Sequence, residues 1–249
     1  MAFLSAAWSN LFLVTYAVPS AELKPHLAPG LELDCLDGQA FVSLVAFQFV
    51  DTRVLGISWP GYRNFAELNL RFYVRHGADR GVMFVREFVP LRLVAWIARW
   101  FYNEPYVVAP FRAHIEDKPD CLDVDYRLER GGRVHVLQAR GRKPAYLPDE
   151  GSTEHFFKEH CWGFGRTRRG HGLRYEVAHP AWSIYPIQSC KIDLDWALVY
   201  GPEWAFLQNA VPYSTILAAG SPVLVYSKGR LQTQPQPVLC QIDLPGTSM

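Results

Sequence analysis

The sequence predicts an α+β chain, mainly antiparallel β, whose strands close into a β-barrel with a few short peripheral helices. Three observations predict it. Short runs rich in β-branched and aromatic residues recur along the chain, punctuated by Gly, Pro and Asp-Gly. The long apolar run Ala40 to Val50 suits a strand covered on both faces, because alternation is expected only where one face meets water. Helical spacing is confined to three or four short segments, and that many strands should close on themselves around an interior able to hold a ligand.

Taken in order, Ala2 to Val18 reads as a short helix running into a strand at Phe12 to Val18. Pro25, Pro29 and Gly30 punctuate a turn, Leu31 to Cys35 resumes in alternation, and Asp37-Gly38 marks a tight reversal into Ala40 to Val50. Phe65 to Arg75 and Val82 to Phe88 form an antiparallel pair joined through Gly77 to Gly81, followed by a helix over Pro90 to Tyr102. Arg92 and Arg99 are seven apart and share one face of that helix, which packs on the domain. Tyr106 to Glu116 is extended, and Leu122 to Glu129 pairs with Val134 to Ala139 across Gly131-Gly132. Ser152 caps a helix over Thr153 to His160 with Phe156 and Phe157 inward, a Gly- and Arg-rich loop follows, and Leu173 to Ala178 is a strand. Pro202 starts a short helix near Trp204 to Leu207, and two last strands, Ser214 to Leu217 and Val223 to Tyr226, flank a Gly220-Ser221-Pro222 turn. Residues 1–227 are read as a single barrel domain and 228–249 as a poorly ordered tail, from its run of Gln and Pro.

Composition narrows the function. The 249 residues carry 25 basic and 24 acidic side chains, a formal net charge of +1, which gives no basic face for a nucleic acid. A hydrophobic share of 49% is that of a globular chain, well above the disordered range. Five scattered cysteines without a C-x-x-C pair read as free thiols of a reducing, cytoplasmic compartment. No apolar stretch reaches the roughly 18 residues that span a bilayer, so neither a membrane partner nor an anchor is expected. His155, Glu159, His160 and Cys161 lie close together but match no metal-ligand pattern, and no P-loop, dinucleotide fingerprint or nucleophile elbow is present. No metal and no cofactor is expected. The Arg166, Arg168, Arg169 and His171 cluster is read as a solvated loop.

The segment Phe65-Ala66-Glu67-Leu68-Asn69-Leu70-Arg71-Phe72-Tyr73-Val74 is the most informative. As a strand it puts Glu67, Asn69 and Arg71 on one face and Ala66, Leu68, Leu70 and Phe72 on the other. The polar trio is then a solvated face, an inward salt bridge, or the lining of a pocket in which Arg71 clamps a carboxylate and Glu67 carries a proton. Those three readings stay open at this point. His179, followed by Pro180 and Trp182, looks like a turn whose imidazole bonds the backbone, and it is a further pocket candidate.

The pattern Phe65-x-Glu67-x-Asn69-x-Arg71-x-Tyr73-Val74 resembles the YqjF-like family of conserved bacterial proteins, which is similar in fold to acetoacetate decarboxylase. Trp8-x-x-Leu11, Pro29-Gly30-Leu31, Ala40 to Val45, Pro105-Tyr106, His179-Pro180-x-Trp182 and Gly220-Ser221-Pro222-Val223 match it as well. The resemblance implies an acetoacetate-decarboxylase-like barrel with a central pocket. Decarboxylases of that type form a Schiff base on one of two adjacent lysines. In this sequence Tyr106 and Val107 stand at that place, so Schiff-base chemistry is not expected, and all six lysines, Lys158 among them, fall outside that segment. Glu67 is the one catalytic-type residue the resemblance carries over.

Together these readings predict a central pocket for a small carboxylate or keto compound, with Glu67 as proton carrier and Asn69, Arg71, Tyr106 and His179 as ligand-binding residues. Lyase-type or proton-transfer chemistry without a Schiff-base lysine is one function. The alternative is a non-catalytic ligand-binding or interaction protein on the same fold. A small-molecule ligand is the expected partner, and a homo-oligomer is compatible with the sequence.

Overall fold

A computed structural model describes residues 2–231. In chain order the elements are β1 (Leu4–Val18), α1 (Ser20–Leu23), β2 (Glu32–Leu33), β3 (Ala40–Val54), β4 (Phe65–His76), β5 (Asp79–Val89), α2 (Arg92–Phe101), β6 (Tyr106–Val108), β7 (Phe111–Asp117), β8 (Cys121–Arg130) and β9 (Arg133–Arg142). Then come α3 (Thr153–Lys158), β10 (Trp162–Arg166), β11 (Gly172–Ala178), β12 (Ile184–Tyr185), β13 (Ile187–Asp193), α4 (Trp196–Tyr200), a 3₁₀ helix over Pro202–Asn209, β14 (Ser214–Val225) and β15 (Gly229–Arg230). No helix among the described residues is long and apolar enough to cross a membrane. The tail expected at 228–249 lies outside the described residues from 232 onward, while Gly229 and Arg230 pair with β11.

Eleven strands make one sheet, and β13, β9, β8 and β7 make a second, antiparallel one. Between them lies a core in which Leu68, Leu70 and Phe72 of β4 pack with Phe111, Tyr126 and Leu137. Burying such side chains removes the apolar face of each sheet from water at about 25 cal/mol per Å². The opposite face of β4 belongs to another cluster, with Phe47 and Phe49 of β3 and Trp182. Because β3 and β4 are covered on both faces, the run from Ala40 lacks period-two alternation, as its composition anticipates.

The closed barrel expected from the sequence is not formed. Seven strands of the large sheet, β1, β3, β4, β5, β10, β11 and β14, form a ring. A barrel needs strands bonded along their lengths with a common stagger. Here β10 meets β5 through two parallel pairs, Trp162↔Gly81 and Gly163↔Val82, and β11 meets β14 through two antiparallel pairs, Val177↔Val225 and Ala178↔Leu224. The β10–β11 hairpin thus bridges a gap, and the result is an α+β fold with a mixed sheet.

Two further expectations are corrected. Residues expected to start the chain as a helix belong instead to the 15-residue strand β1, which is paired on both sides, with β3 and with β14. The Gly220-Ser221-Pro222 turn is absent as well, since β14 runs unbroken through it opposite Trp8. β12 pairs with β14 only at Leu217 and Ala218, so β1 is the strand paired with β14 at Pro222. Pro222 lacks a donor, and a strand bonded on one side tolerates that. Other signals were read correctly. Asp37 and Gly38 both have positive φ, 51° and 77°, as a tight hairpin turn requires.

Ser152 caps α3, accepting a hydrogen bond from the His155 amide at 3.2 Å. Ser152→Ala should lower stability by about 1 kcal/mol, and Ser152→Asp should restore it. Thermal melts of both variants check this, and an unchanged midpoint in Ser152→Ala would remove the cap from the account of α3.

Candidate functional site

Strand alternation aims Phe65, Glu67, Asn69, Arg71 and Tyr73 to one face of β4. Register sets their neighbours. On β3, Phe49, Phe47, Val45 and Ser43 stand opposite Phe65, Glu67, Asn69 and Arg71. On β5, Glu87 stands opposite Asn69 and, past a bulge, Phe84 opposite Arg71. All of these except Tyr73 and Ser43, with residues from the other strands of the ring and from α2, wall a cavity of about 170 Å³. Glu67, Asn69 and Arg71 are 2%, 3% and 9% exposed, so the row is not a solvated face.

Arg71 is held from one side only. Its Nη2 donates to the Phe157 carbonyl at 3.0 Å, near the end of α3, where helix carbonyls lack intrahelical partners. Tyr73 donates to the same carbonyl and is bonded to Ser43, which in turn pairs with Thr15. Arg71 Nε is buried without a partner. No carboxylate lies within ion-pair distance of Arg71 among the described residues, so the inward salt bridge with Glu67 is not formed.

Glu67 is gripped at both oxygens. Asn69 Nδ2 donates to Oε1 at 3.0 Å and Tyr106 Oη donates to Oε2 at 2.7 Å. Glu87 and Glu104 are buried beside it, and Tyr175 Oη donates to Glu104 Oε1 at 2.9 Å. Burial lifts Glu67 to about 7, against the lowering pull of hydrogen bonds from Tyr106, Asn69 and Glu87. It lifts Glu104 to about 8, helped by the charge of Glu67. Glu87 is pushed well above the usual carboxylate range by burial and by both neighbouring acids. Burial and the crowding of three acids thus favour the protonated form of each. Burial and the neighbouring acids Glu67 and Glu87 also push the Tyr106 hydroxyl up, so it stays a donor.

Other polar groups in the wall were not anticipated. His160 is buried, and burial lowers it to about 4, against the pull of Asp34. Burial would raise Asp34, but the nearby His160 ring and the hydrogen bond from Arg80 at 2.7 Å hold it below its usual value. Lys158, one of the lysines read as lying outside the site, lines the cavity and is buried against the Glu159 carboxylate. His179 also lines it, half-buried and stacked on Trp182 at 4.5 Å, with Nδ1 against the Pro180 carbonyl.

Glu67, Asn69, Arg71, Tyr106 and His179 thus border one cavity. Sequence reasoning missed Glu87, Glu104, Lys158 and His160. Glu87 could have been found from β5, where it is an acid two residues before Val89 in a run otherwise expected to be buried. Glu104, in the link from α2 to β6, carries no such signal. Among the described residues no cluster of His, Cys, Asp and Glu has the geometry to hold a metal ion. Chemically, the arrangement offers a guanidinium with a free donor, a carboxyl lifted to about 7, and a neighbouring acid that burial lifts well above the usual carboxylate range.

The sequence matches the family described as "Uncharacterized conserved protein", DUF2071, over residues 5–230. It is similar to the uncharacterized protein YqjF of Bacillus subtilis (strain 168), 32% identical over 117 residues, which is 47% of this chain and 48% of that protein. The alignment therefore spans about half the length of that relative. Among solved structures it is similar to an acetoacetate decarboxylase-like enzyme from Sphingomonas wittichii RW1, with a TM-score of 0.65, 15% identity, and 94% of this chain and 95% of the other covered. The acetoacetate decarboxylase of Legionella pneumophila subsp. pneumophila str. Philadelphia 1 gives 0.62 at 14% identity, covering 92% and 87%. The enduracididine biosynthesis enzyme MppR complexed with pyruvate gives 0.62 at 12%, covering 94% and 92%. At such identities the likeness is one of fold.

Proposed function

The chain belongs to the DUF2071 family of uncharacterized conserved proteins, and on that premise we propose that it binds a small carboxylate or keto compound and moves a proton on it without a Schiff base. The observation that carries this reading is the buried Arg71 guanidinium, with Nε unpartnered, in the wall of the same cavity as a carboxyl that titrates near 7. An unpaired buried donor on a cation is costly, and a ligand carboxylate removes that cost. Asn69 and Tyr106 fix the carboxyl of Glu67, and its pKa matches the requirement of a general base at neutral pH. As base, Glu67 takes a proton from the carbon next to the keto group and returns it to the same carbon. Burial holds Glu87 well above the usual carboxylate range, so in its protonated form it adds no second negative charge beside the one this transfer creates.

Pyruvate and acetoacetate at about 100 times their Kd should stabilise the protein by roughly 2.7 kcal/mol. Arg71→Ala should abolish that shift. In D₂O, exchange of the keto acid's α-protons, followed by NMR, should require Glu67 and vanish in Glu67→Gln. Binding with no Glu67-dependent exchange would favour a non-catalytic binding protein. Borohydride reduction in the presence of keto acid should leave every lysine unmodified. An adduct on Lys158 would overturn the imine-free reading.

A further inference from the structure

The cavity is more aromatic than a three- or four-carbon acid requires, and its polar and aromatic groups are segregated along the strands. Arg71 and Glu67 are four residues apart on β4, about 13 Å between Cα atoms. Both side chains line the cavity, so one short acid is asked to reach from the one to the other. Beyond Glu67, away from Arg71, the row continues as Phe65, with Phe49 opposite it and Phe47 opposite Glu67. Trp8 stands opposite Phe49 on the next strand. Trp8 meets Phe47 and Phe49 edge-on at 5.6 and 6.1 Å, and Phe49 stacks on Phe65 at 4.8 Å. Trp182 closes the group, edge-on to Trp8 at 5.8 Å. All five line the cavity.

An apolar cavity of about 150 Å³ holds a benzene-sized body. The cavity here, about 170 Å³, has that room with a charged group at one end. Aromatic walls reward a ring over a chain of equal area, because edge and face contacts add to burial. We propose that the ligand is an aryl-substituted keto acid carrying one ring, its carboxylate on Arg71, its acidic carbon at Glu67 and its ring among Phe47, Phe49, Phe65, Trp8 and Trp182. This inference rests on the keto-acid reading above and adds the class of substituent.

Isothermal titration calorimetry with pyruvate, 2-oxohexanoate and phenylpyruvate tests it. Burying a ring should make phenylpyruvate roughly 100-fold tighter than pyruvate. It should also be tighter than 2-oxohexanoate. Phe49→Leu keeps an apolar wall and removes the ring contacts. It should weaken phenylpyruvate about fivefold and leave pyruvate unchanged. Phe65→Leu serves the same purpose if the first variant does not fold. Arg71→Ala should lose all three acids. Pyruvate binding as tightly as phenylpyruvate, with both dependent on Arg71, would overturn the aryl inference and leave the keto-acid reading standing. Absence of Arg71-dependent binding for every acid would overturn both.

Discussion

Gly220→Ala lowers stability by about 4 kcal/mol, the largest loss expected from a single methyl group in this chain. Gly220 sits in the middle of β14 with φ +90°, and a Cβ there would lie 2.0 Å from the Trp8 carbonyl oxygen and 2.9 Å from Leu11. The first obstacle is conformational, about 1–2 kcal/mol for an L-residue held in the left-handed region. The second is steric. Backbone on β1 cannot rotate away as a side chain would, so the strands must separate where they pair, and overpacking of this kind costs about 1–3 kcal/mol. For a domain of this size, each kcal/mol lowers the midpoint by about 2–4 °C, so the variant should melt about 10 °C below the parent. Gly151 is the control, because a Cβ there meets nothing within 4 Å. Gly151→Ala should change stability by less than about 0.5 kcal/mol. A Gly220→Ala midpoint within 2 °C of the parent, on the order of the smallest effect expected here, would show that β14 does not run this close over Trp8.

The second large effect is a fall of about 10 °C in melting midpoint between pH 6 and pH 8.5, on the same conversion. A carboxyl in the unfolded chain titrates near 4.5, whereas burial lifts Glu67 to about 7 and Glu104 to about 8. Between those limits the folded state binds more protons than the unfolded state, so stability falls as pH rises. The contribution is intact below about 4.5 and is lost as pH climbs through 7 and 8. From pH 6 upward Glu67 and Glu104 together lose about 4 kcal/mol, at roughly 1.4 kcal/mol per unit, and Glu87, raised by the same burial, adds to the fall in the same direction. His160 works in the opposite direction. Its value falls from 6.5 to about 4, so its contribution is intact above 6.5 and is lost as pH drops toward 4. The stability maximum should therefore lie on the acid side of neutrality. Glu104→Gln keeps an acceptor for Tyr175 and removes the group that titrates near 8, and it should clearly lessen the alkaline fall. A parent protein whose midpoint is flat from pH 6 to 8.5 would mean that the carboxyls are solvated.

Local signals were legible in the sequence, and signals that depend on a distant partner were not. The alternation from Phe65 to Tyr73 and the Asp37-Gly38 turn needed no knowledge of the rest of the chain. Neither did the Ser152 cap. By contrast, Gly163 and Gly165 look like loop residues but lie in β10, where Gly163 is required because a Cβ would meet the Tyr175 ring at 2.2 Å. That constraint comes from β11. Gly220-Ser221-Pro222 likewise has turn composition, and pairing with β1 keeps it within a strand. The barrel expectation failed for the same reason: strand content is local, while closure is set by two short joints between segments distant in sequence. In the site, Glu67, Asn69 and Arg71 were visible as a row because one strand carries all three. Glu87 and Lys158 reach the cavity from β5 and α3, and Glu104 and His160 from the links that follow α2 and α3.

The pairing of β1 also bears on how the chain is made. One side of β1 is covered early, by β3, but its other side is covered by β14, with Leu4 facing Val225. During synthesis, the second side of β1 stays uncovered while some 200 residues are added, tens of seconds at about 5–20 residues per second. Throughout that interval a long apolar strand offers unpaired amides and carbonyls to any other nascent chain. Deleting β14 would leave that exposure permanent, so chains ended before Ser214 should collect in the insoluble fraction even though every residue named in the cavity's polar row is still present.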